Sequence, residues 1–311
     1  MAERGVLLMA YGTPASADDV ERFYTHIRRG SPPSPEQLAD LQRRYAAIGG
    51  VSPLLERTQA QVRGIQRSLD GADPGRYQTY LGMRHAPPFI DDAVATMHAD
   101  GSLANAIALV LAPHYSAFNT GEYQRRVEEA IGRLEASGPV RVAAAQGFAF
   151  EPELTILLSS RVKAALASDE LAGRTVEVLF TAHSLPMRVV DAGDPYPEQV
   201  EQSAAAVARY AYLERWRVAW QSAGRTDDPW LGPDLRDVIR DLSAAGVDGV
   251  VVCPIGFVSD HLEVLFDIDI EAKRVAEECG VSLVRTSSLN DDPEFMEILA
   301  GVIRDLDATM A

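Results

Sequence analysis

The chain has 311 residues, of which 47% are hydrophobic and 24% charged, so it can bury the sizeable core of an ordinary globular protein. Its formal net charge is −16, which argues against a nucleic-acid partner and against docking on anionic lipid, because both require a basic surface. The length predicts two domains rather than one.

The sequence carries no signal for a membrane span or for a disulfide framework. No apolar stretch reaches the ~18 residues needed to span a bilayer, and the short apolar run near Met1 has no cleavage pattern of a signal peptide. The two cysteines, Cys253 and Cys279, are isolated and form no CxxC pair. We therefore expect a cytoplasmic protein that does not insert into a membrane.

The first half of the chain alternates predicted strands and helices. The apolar run 6–10 predicts the first strand, which ends at Gly12 and Pro14. Further strands are predicted at 77–81, 106–111 and 140–144. The predicted helices lie at about 16–29, 35–47, 54–69, 88–98 and 119–136.

The second half repeats this alternation. Residues 176–182 form an apolar run that predicts a buried parallel strand, and Pro186 breaks it. Further strands are predicted at 217–220, 250–253 and 281–285, and residues 224–233 are predicted to be irregular. The predicted helices lie at about 153–167, after Pro197, and at 234–245, 260–279 and 293–306.

Strands that alternate with helices favour parallel sheets joined by right-handed crossovers. The predicted fold class is therefore α/β, with two similar domains, each a parallel sheet flanked by helices, and an interdomain cleft. The predicted domains are residues 1–150 and residues 151–290, and the second carries His183 and Glu263. The C-terminal helix, about 291–311, is expected to pack back on the first domain.

His183 is predicted to lie at the carboxyl end of its strand, which is where ligands bind in open α/β sheets. By itself, a histidine in this position is more often structural than catalytic. A second polar stretch follows the 250–253 strand and contains Asp260, His261 and Glu263. We interpret these two stretches as the centre of the molecule, with the rest of the chain as scaffold and pocket around them.

Glu263, Asp267 and Glu271 are spaced four residues apart, which places three carboxylates along one face of the predicted helix. One explanation is a solvated face near the helix N-terminus, where the macrodipole favours acids, and spacing alone slightly favours it. The other is a cation site or path, because histidine with carboxylates suits a divalent metal such as Fe(II).

Two arginine pairs stand out in this acidic chain. Arg28 and Arg29 end the first helix, and Arg43 and Arg44 lie on the second. Near a cleft they would suit an anionic small molecule, because the guanidinium fork matches a carboxylate. Helix capping and an ordinary exposed face explain the same pairs equally well.

Seven motifs, in order along the chain, resemble the ferrochelatase family. They span nearly the whole sequence and are specific as a set, although each alone is weak. The motifs are MAYGTP (9–14), GGVSPL (49–54), LAPHYS (111–116), AHSLP (182–186), WQS (220–222), DPWLGP (228–233) and SDHLE (259–263). The likeness is greatest to the Gram-positive coproporphyrin III type, and it implies two Rossmann-like, chelatase-type domains with a porphyrin in the cleft.

The resemblance implies a lyase that inserts Fe(II) into coproporphyrin III in haem biosynthesis. His183 and Glu263 fall on the family's signature catalytic positions, which also bind the metal. Asp267 and Glu271 match an acidic row associated with an outer, regulatory divalent cation such as Mg²⁺. Trp230 is interpreted as structural. Substrate contacts are implied for Tyr11, Arg28, Arg44, Tyr45, Ser52, His85 and Tyr123.

Iron is a substrate in this interpretation. No Fe–S cluster is expected, because a cluster needs four ligands, usually thiolates, and the chain has two cysteines. The implied partners are coproporphyrin III and a haem-pathway acceptor protein, and we expect a monomer.

Three alternative functions stay open at this point. They are a protoporphyrin IX ferrochelatase, a cobalt or nickel tetrapyrrole chelatase, and a porphyrin or haem carrier without activity. The pair His183 and Glu263, together with the WQS segment, favours the iron enzyme over the cobalt or nickel chelatase. The presence of both reactive positions counts against a carrier.

Overall fold

The computed structural model describes residues 3–134, 140–224, 226 and 228–310, which divide into two compact units. The first unit comprises Met1–Ala112, Asn119–Phe148 and Leu289–Ala311, and the second comprises Pro113–Phe118 and Ala149–Ser288. Each unit contains a four-stranded sheet in which every described strand pair is parallel. The predicted α/β class, with two parallel sheets flanked by helices, is confirmed.

The first sheet has the strand order β2-β1-β3-β4. Its strands are β1 (Arg4–Ala10), β2 (Tyr77–Met83), β3 (Asn105–Val110) and β4 (Arg141–Ala144). Residues 5–10 of β1 are all buried, as expected for a parallel strand covered on both faces. Because β2 lies on one side of β1 and β3 on the other, the strand order reverses at β1. Such a switch point is where open α/β sheets bind ligands.

The second sheet repeats this topology with the order β6-β5-β7-β8. Its strands are β5 (Val176–His183), β6 (Trp216–Gln221), β7 (Gly249–Cys253) and β8 (Ser282–Arg285). All five residues of β7 are buried. The switch point of this sheet therefore lies at the carboxyl end of β5, next to β7.

Helices flank both sheets and begin where the sequence supplies caps. The Ser34 hydroxyl accepts from the Gln37 N–H at 3.2 Å, and the Gln37 side chain accepts from the Ser34 N–H at 3.0 Å. Helices of the first unit are α1 (Val20–Ile27), α2 (Pro35–Ala47), α3 (Leu54–Ala72), α4 (Ile90–Ala99), α5 (Thr120–Gly132) and α12 (Pro293–Thr309). Those of the second are α6 (Pro152–Leu166), α7 (Met187–Asp191), α8 (Tyr196–Ala211), α9 (Leu235–Ala244), α10 (Leu262–Leu265) and α11 (Lys273–Glu278).

A buried carboxylate ties α12 to the first sheet. Asp307 is 2% exposed and accepts hydrogen bonds from Arg4 Nε at 2.5 Å, Arg76 Nη2 at 2.6 Å and Tyr77 Oη at 2.9 Å. Burial opposes ionisation of this carboxyl, but the donors outweigh burial and hold the pKa of Asp307 below its ordinary value. These contacts link α12 to the start of β1 and the start of β2.

The predicted single helix at 260–279 is wrong in detail. His261 is extended, α10 begins at Leu262, and a π-helical segment, Asp267–Ala272, separates α10 from α11. The Phe266 carbonyl accepts from the N–H of Glu271 at 2.9 Å, five residues along the chain. Such π turns are frequent at functional sites.

Other differences are small. Helix α7, a single turn, was not predicted, and the helix predicted from residue 88 begins at Ile90. The predicted end of the helix at 119–136 lies outside the described residues, as do residues 225 and 227 of the predicted irregular segment. In the described ranges, no helix combines the length and the apolar composition needed to cross a bilayer.

Candidate active site

The strand β5 carries His183 to the carboxyl edge of the second sheet. His183 is in register with Gln221, the last residue of β6. The Ser184 N–H donates to the Gln221 carbonyl at 2.8 Å, which extends the pairing past the strand end. The next residue is held as well, because the Leu231 N–H donates to the Leu185 carbonyl at 2.8 Å. The backbone on both sides of His183 is therefore fixed.

Glu263 lies between two imidazole rings. His183 donates from Nδ1 to the Ser184 carbonyl at 2.5 Å, and its Nε2 lies 3.6 Å from Glu263 Oε1. His261 repeats this arrangement, with Nδ1 donating to the Ser259 carbonyl at 2.9 Å and Nε2 lying 3.6 Å from Glu263 Oε2. Because a carbonyl can only accept, it holds the proton on Nδ1. Nε2 can then face a carboxylate favourably only if it is protonated or shares a cation with it.

The pair His183 and Glu263 is strongly coupled. Burial lowers the pKa of His183, but the Glu263 carboxylate outweighs burial and raises this pKa to about 9. Burial likewise opposes ionisation of Glu263, while His183 and His261 hold its pKa below the ordinary value. The side chains of His183 and Glu263 are 35% and 36% exposed, so a ligand can reach both.

Two residues at the end of β6 fix the segment that carries Glu263. The buried Gln221 donates from Nε2 to the Glu263 carbonyl at 2.9 Å. Ser222 has a left-handed backbone, with φ of 60°, which is uncommon outside glycine. This conformation accompanies a hydrogen bond from Ser222 Oγ to the buried Asp267 carboxylate. Strand β6 therefore positions both Glu263 and Asp267.

The three carboxylates of the acidic row have different partners. Glu263 faces histidines and Asp267 accepts from a hydroxyl, whereas Glu271 accepts from Arg236 Nη1 at 3.2 Å. Arg236 also donates to Asp234, from Nε at 2.9 Å and from Nη2 at 3.0 Å. The π segment adds about one residue to a helical turn, so the three carboxylates do not lie on the regular α-helix that was predicted.

The structure brings two of the four predicted metal residues together. His183 and Glu263 face each other, whereas Asp267 and Glu271 are each bonded to another side chain. Across the ranges described, no group of three or more His, Cys, Asp or Glu side chains is placed to hold a metal ion. An iron ion arriving here would meet a histidine–carboxylate pair with open coordination positions rather than a closed cage.

The corresponding edge of the first sheet carries a different set of side chains. Tyr11 follows β1, and its ring centroid lies 4.6 Å from that of His85, which follows β2. The Nδ1 atoms of His85 and His26 are 3.0 Å apart. Burial lowers the pKa of His85 to about 3, and the nearby Arg84 adds to this effect, so the ring is neutral at neutral pH. Tyr11 is 40% exposed.

The two predicted propionate-binding arginines lie at different places in the first unit. Arg28 follows α1, is exposed, and donates from Nε to the Ser31 carbonyl at 3.2 Å. Arg44 lies on α2 with its side chain 23% exposed, and its Nε is 3.2 Å from Asp40 Oδ2. The neighbouring Arg43 pairs with the same Asp40 but is 68% exposed.

The other predicted substrate residues are buried in the first unit. Tyr45 is 4% exposed, with its hydroxyl 3.5 Å from Thr13 Oγ1. Ser52 is 6% exposed, and its hydroxyl accepts from the Leu54 N–H at 3.3 Å. Tyr123 is 4% exposed and lies below the Arg84 guanidinium, whose carbon is 5.5 Å from the ring centroid.

Trp230 was interpreted as structural from the sequence, and its contacts are with backbone and neighbours. Its Nε1 donates to Thr226 Oγ1 at 2.9 Å. A Cβ atom on Gly224 would lie 2.3 Å from the indole, so glycine leaves room for the ring. The ring centroid lies 6.4 Å from that of His183, which places Trp230 beside the site as well.

Sequence reasoning assigned no role to several residues that contact the predicted site residues in the structure. His261 and Ser222 belong to quoted motifs but had no role, and only the folded contacts reveal their partners. His26 meets His85 across 59 positions of sequence. The one available signal for His26 was its position in the last turn of the predicted first helix.

Comparison with known proteins gives a consistent result. The Ferrochelatase family model matches residues 3–306. A coproporphyrin III ferrochelatase from Geobacillus thermodenitrificans is 46% identical over 302 residues, covering 96% of this chain and 94% of its relative. One from Bacillus pumilus is 44% identical over 302 residues, covering 96% of each. The resemblance carried by the seven motifs is confirmed.

Solved structures support the fold independently of sequence. SirB from Bacillus subtilis with Fe³⁺ superimposes with a TM-score of 0.60 at 11% identity, covering 100% of this chain and 97% of that chain. At so low an identity, this likeness shows the fold alone. It places the pair of parallel sheets among chelatase-type architectures.

Proposed function

The chain belongs to the ferrochelatase family, and we propose that His183 and Glu263 carry out its metal insertion. The reaction is the insertion of Fe(II) into coproporphyrin III, a step of haem biosynthesis. Iron replaces the two pyrrole N–H protons, so the enzyme must strip water from the cation and accept two protons. The site must therefore handle both a cation and protons.

The single observation that carries this proposal is the carboxylate of Glu263 between two Nε2 atoms. Without iron, the pair holds a proton, because Glu263 raises the pKa of His183. A dication near Glu263 cancels the field that stabilises the imidazolium, so His183 loses this proton and becomes a base. His183 thus releases its proton to solvent as the cation arrives, and it can then accept the two pyrrole protons in turn, passing the first to solvent before it takes the second.

The first unit supplies groups that suit a porphyrin with several carboxylates. Coproporphyrin III has four propionates, whereas protoporphyrin IX has two propionates and two vinyl groups. Arg28 follows the end of α1 and Arg44 lies on α2, so the two arginines can serve different propionates. A charge-assisted hydrogen bond of this kind contributes roughly 1.5–3 kcal/mol. We therefore expect coproporphyrin III to be preferred over protoporphyrin IX.

A resident Mg²⁺ on the acidic row is a separate proposal, and the residues present fit it poorly. Glu271 is bonded to the guanidinium of Arg236, which repels a dication. Asp267 is buried and accepts from Ser222. We therefore derive no step of the reaction through a second metal ion.

The activity is tested by mixing the purified chain with Fe(II) and coproporphyrin III without oxygen. The expected result is conversion of the free-porphyrin absorbance spectrum to that of the metalated product, with many turnovers per chain. A carrier would bind the porphyrin and shift its spectrum stoichiometrically, but it would not accelerate metalation. That outcome would contradict the proposed function.

Substrate preference is tested by kcat/KM for both porphyrins, with Arg44→Ala compared with Arg43→Ala. Both arginines pair with Asp40, but Arg44 is the less exposed of the two. Arg44→Ala should lower the coproporphyrin-to-protoporphyrin ratio by about 10-fold, since that corresponds to one lost charge-assisted contact. Arg43→Ala should leave the ratio unchanged. Equal efficiency of the unaltered enzyme on both porphyrins would refute the preference.

A further inference from the structure

A cavity of about 640 Å³ lies in the first unit beside the residues that follow β2. Its wall is formed by the end of α1, the start of α4 and one face of α5. Five arginines line it, in a chain whose formal net charge is −16: Arg29, Arg84, Arg125, Arg126 and Arg133. Such a concentration of guanidinium groups needs a physical reason, because like charges repel each other.

Acidic residues offset part of this charge at the rim. Arg125 pairs with Glu122 and, at 3.1 Å, with Glu129, and Arg133 pairs with Asp91. The side chains of Arg125 and Arg133 are 54% and 60% exposed, so these are solvated surface pairs. The three carboxylates of the lining are thereby engaged by two arginines.

The remaining arginines face the cavity with little compensation. Arg84 is 17% exposed, its closest carboxylate oxygen, on Glu122, is 4.0 Å away, and its Nε is buried without a hydrogen-bond partner. Arg126 is half-buried, and Arg29 follows α1 in a left-handed conformation, with φ of 56°. In the part of the chain that is described, neither Arg29 nor Arg126 has an acidic partner within 4.0 Å.

The cavity differs from the set of substrate contacts implied by the family resemblance. Of those residues only His85 lines it, whereas Arg28, Arg44 and Tyr123 do not. His26 and His85 also line it, and burial lowers the pKa of both rings, with further lowering from Arg126 at His26 and from Arg84 at His85. Neutral imidazoles add hydrogen-bonding groups without adding further positive charge.

We propose that this arginine-lined cavity binds a small polyanion through carboxylate or phosphate groups. Arg84, Arg126 and Arg29 supply the charge-assisted donors, and guanidinium forks match both kinds of anion. Binding would satisfy the buried Nε of Arg84 and reduce the repulsion among the arginines. The site goes beyond the metal-insertion chemistry proposed for His183 and Glu263 and does not depend on turnover.

The test measures anion binding to the full-length chain by isothermal titration calorimetry at low ionic strength, with citrate and inorganic phosphate as probes. Arg126→Gln and Arg84→Gln should each weaken binding by about 10-fold or more. The matched control is Arg22→Gln, since Arg22 is exposed on α1 and pairs with Asp19 outside the cavity. Circular dichroism of each variant verifies that the fold is kept, and two variants guard against failure of either to fold.

Repeating the titration with saturating coproporphyrin III distinguishes two sources of the anion. Unchanged citrate affinity supports a free polyanion as the ligand. Competition, together with a similar loss of coproporphyrin affinity in Arg126→Gln, assigns the cavity to a propionate of the porphyrin. The proposal is overturned if neither probe binds, or if both arginine variants bind citrate, phosphate and coproporphyrin III as tightly as Arg22→Gln does.

Discussion

The two units repeat one topology and use it for different chemistry. The strand order reverses at β1 in the first sheet and at β5 in the second, so the switch points lie at the carboxyl ends of these two strands. Strand β1 leads to Tyr11, which contacts the neutral ring of His85. Strand β5 ends at His183, which pairs with Glu263. The same topology thus presents an aromatic ring beside a neutral imidazole at one edge and a coupled histidine–carboxylate pair at the other.

Two carboxylates sharpen this contrast. Asp307 in the first unit is 2% exposed and accepts hydrogen bonds from three side chains at 2.9 Å or less. Glu263 in the second unit is 36% exposed, and its nearest cationic atoms are two imidazole nitrogens at 3.6 Å. A carboxylate with saturated hydrogen bonds stabilises the fold, whereas one with loose partners can change them during a reaction.

The largest expected effect is that of His183→Ala on turnover. Removing the group that accepts a proton and faces the incoming cation should lower kcat by about 100-fold or more, in the range of general acid–base catalysis. Affinity for coproporphyrin III should stay within a few-fold, because the imidazole acts on metal and protons rather than on propionates. Anaerobic steady-state kinetics and fluorescence quenching by the porphyrin measure the two quantities separately.

The matched control is His98→Ala, which removes an exposed histidine at the end of α4 in the first unit. It should leave kcat and porphyrin affinity unchanged. Near-normal turnover of His183→Ala would show that the assignment of the two edges to different tasks is wrong.

The second expected effect is that of Glu263→Gln. This change keeps the shape but removes the charge that raises the pKa of His183, so this pKa should fall because burial then meets less opposition. In the unaltered enzyme, the His183–Glu263 pair contributes stability that is fully present below the ordinary histidine pKa and is lost as the pH rises through about 9. On the acid side it is lost as Glu263 becomes protonated.

We expect Glu263→Gln to lose most activity, by about 10-fold to 100-fold. NMR titration of the His183 ring measures the accompanying pKa change. A His183 pKa that stays near 9 in the variant would mean that another group, not Glu263, holds the proton at this edge.

Much of this contrast could be anticipated from the sequence, and the rest depended on tertiary structure. Apolar runs bounded by proline and glycine predicted the strands and placed His183 at a strand end, because these signals are local. The His26–His85 contact joins residues 59 apart, and the Arg236–Glu271 bond joins residues 35 apart. No local pattern encodes such pairs. The π segment was also missed, since its sequence keeps the spacing of an ordinary helix.

The third expected effect concerns stability rather than activity. Asp307→Asn should lower the free energy of unfolding of the first unit by about 2 kcal/mol, because hydrogen bonds to a charged group are replaced by weaker ones. Its pKa is held low, so the stabilisation is present above the ordinary carboxyl pKa and is lost as the pH falls through the lower, folded-state pKa. Calorimetric unfolding measures the loss.

The control for this change is Asp305→Asn, which alters an exposed aspartate on the same helix. It should leave the temperature of the unfolding transition unchanged. Because Asp307 is bonded to Arg4, Arg76 and Tyr77 at the starts of β1 and β2, Asp307→Asn should keep kcat at temperatures well below unfolding. A selective loss of kcat without loss of stability would remove the distinction between the two carboxylates.

The smallest expected effect tests whether Arg236 stands in for a cation on the acidic row. Its guanidinium is bonded to Glu271 and is held by Asp234. We therefore expect millimolar Mg²⁺ to change turnover of the unaltered enzyme by less than two-fold. Arg236→Met removes the positive charge and leaves Asp267 and Glu271 without it, and uncompensated carboxylates are the ligands that Mg²⁺ prefers. This variant should lose a few-fold in turnover and regain part of it with Mg²⁺.

Arg240→Met is the matched control, since Arg240 lies one turn further along α9 and pairs with the exposed Asp237. It should show neither the loss nor the response to Mg²⁺. Calorimetric titration with Mg²⁺ provides a readout apart from activity, and we expect measurable heat of binding only in Arg236→Met. Tight Mg²⁺ binding by the unaltered chain would mean that the ion displaces the Arg236 guanidinium from Glu271. The cation chemistry of the second edge would then extend along the whole acidic row instead of ending at Glu263.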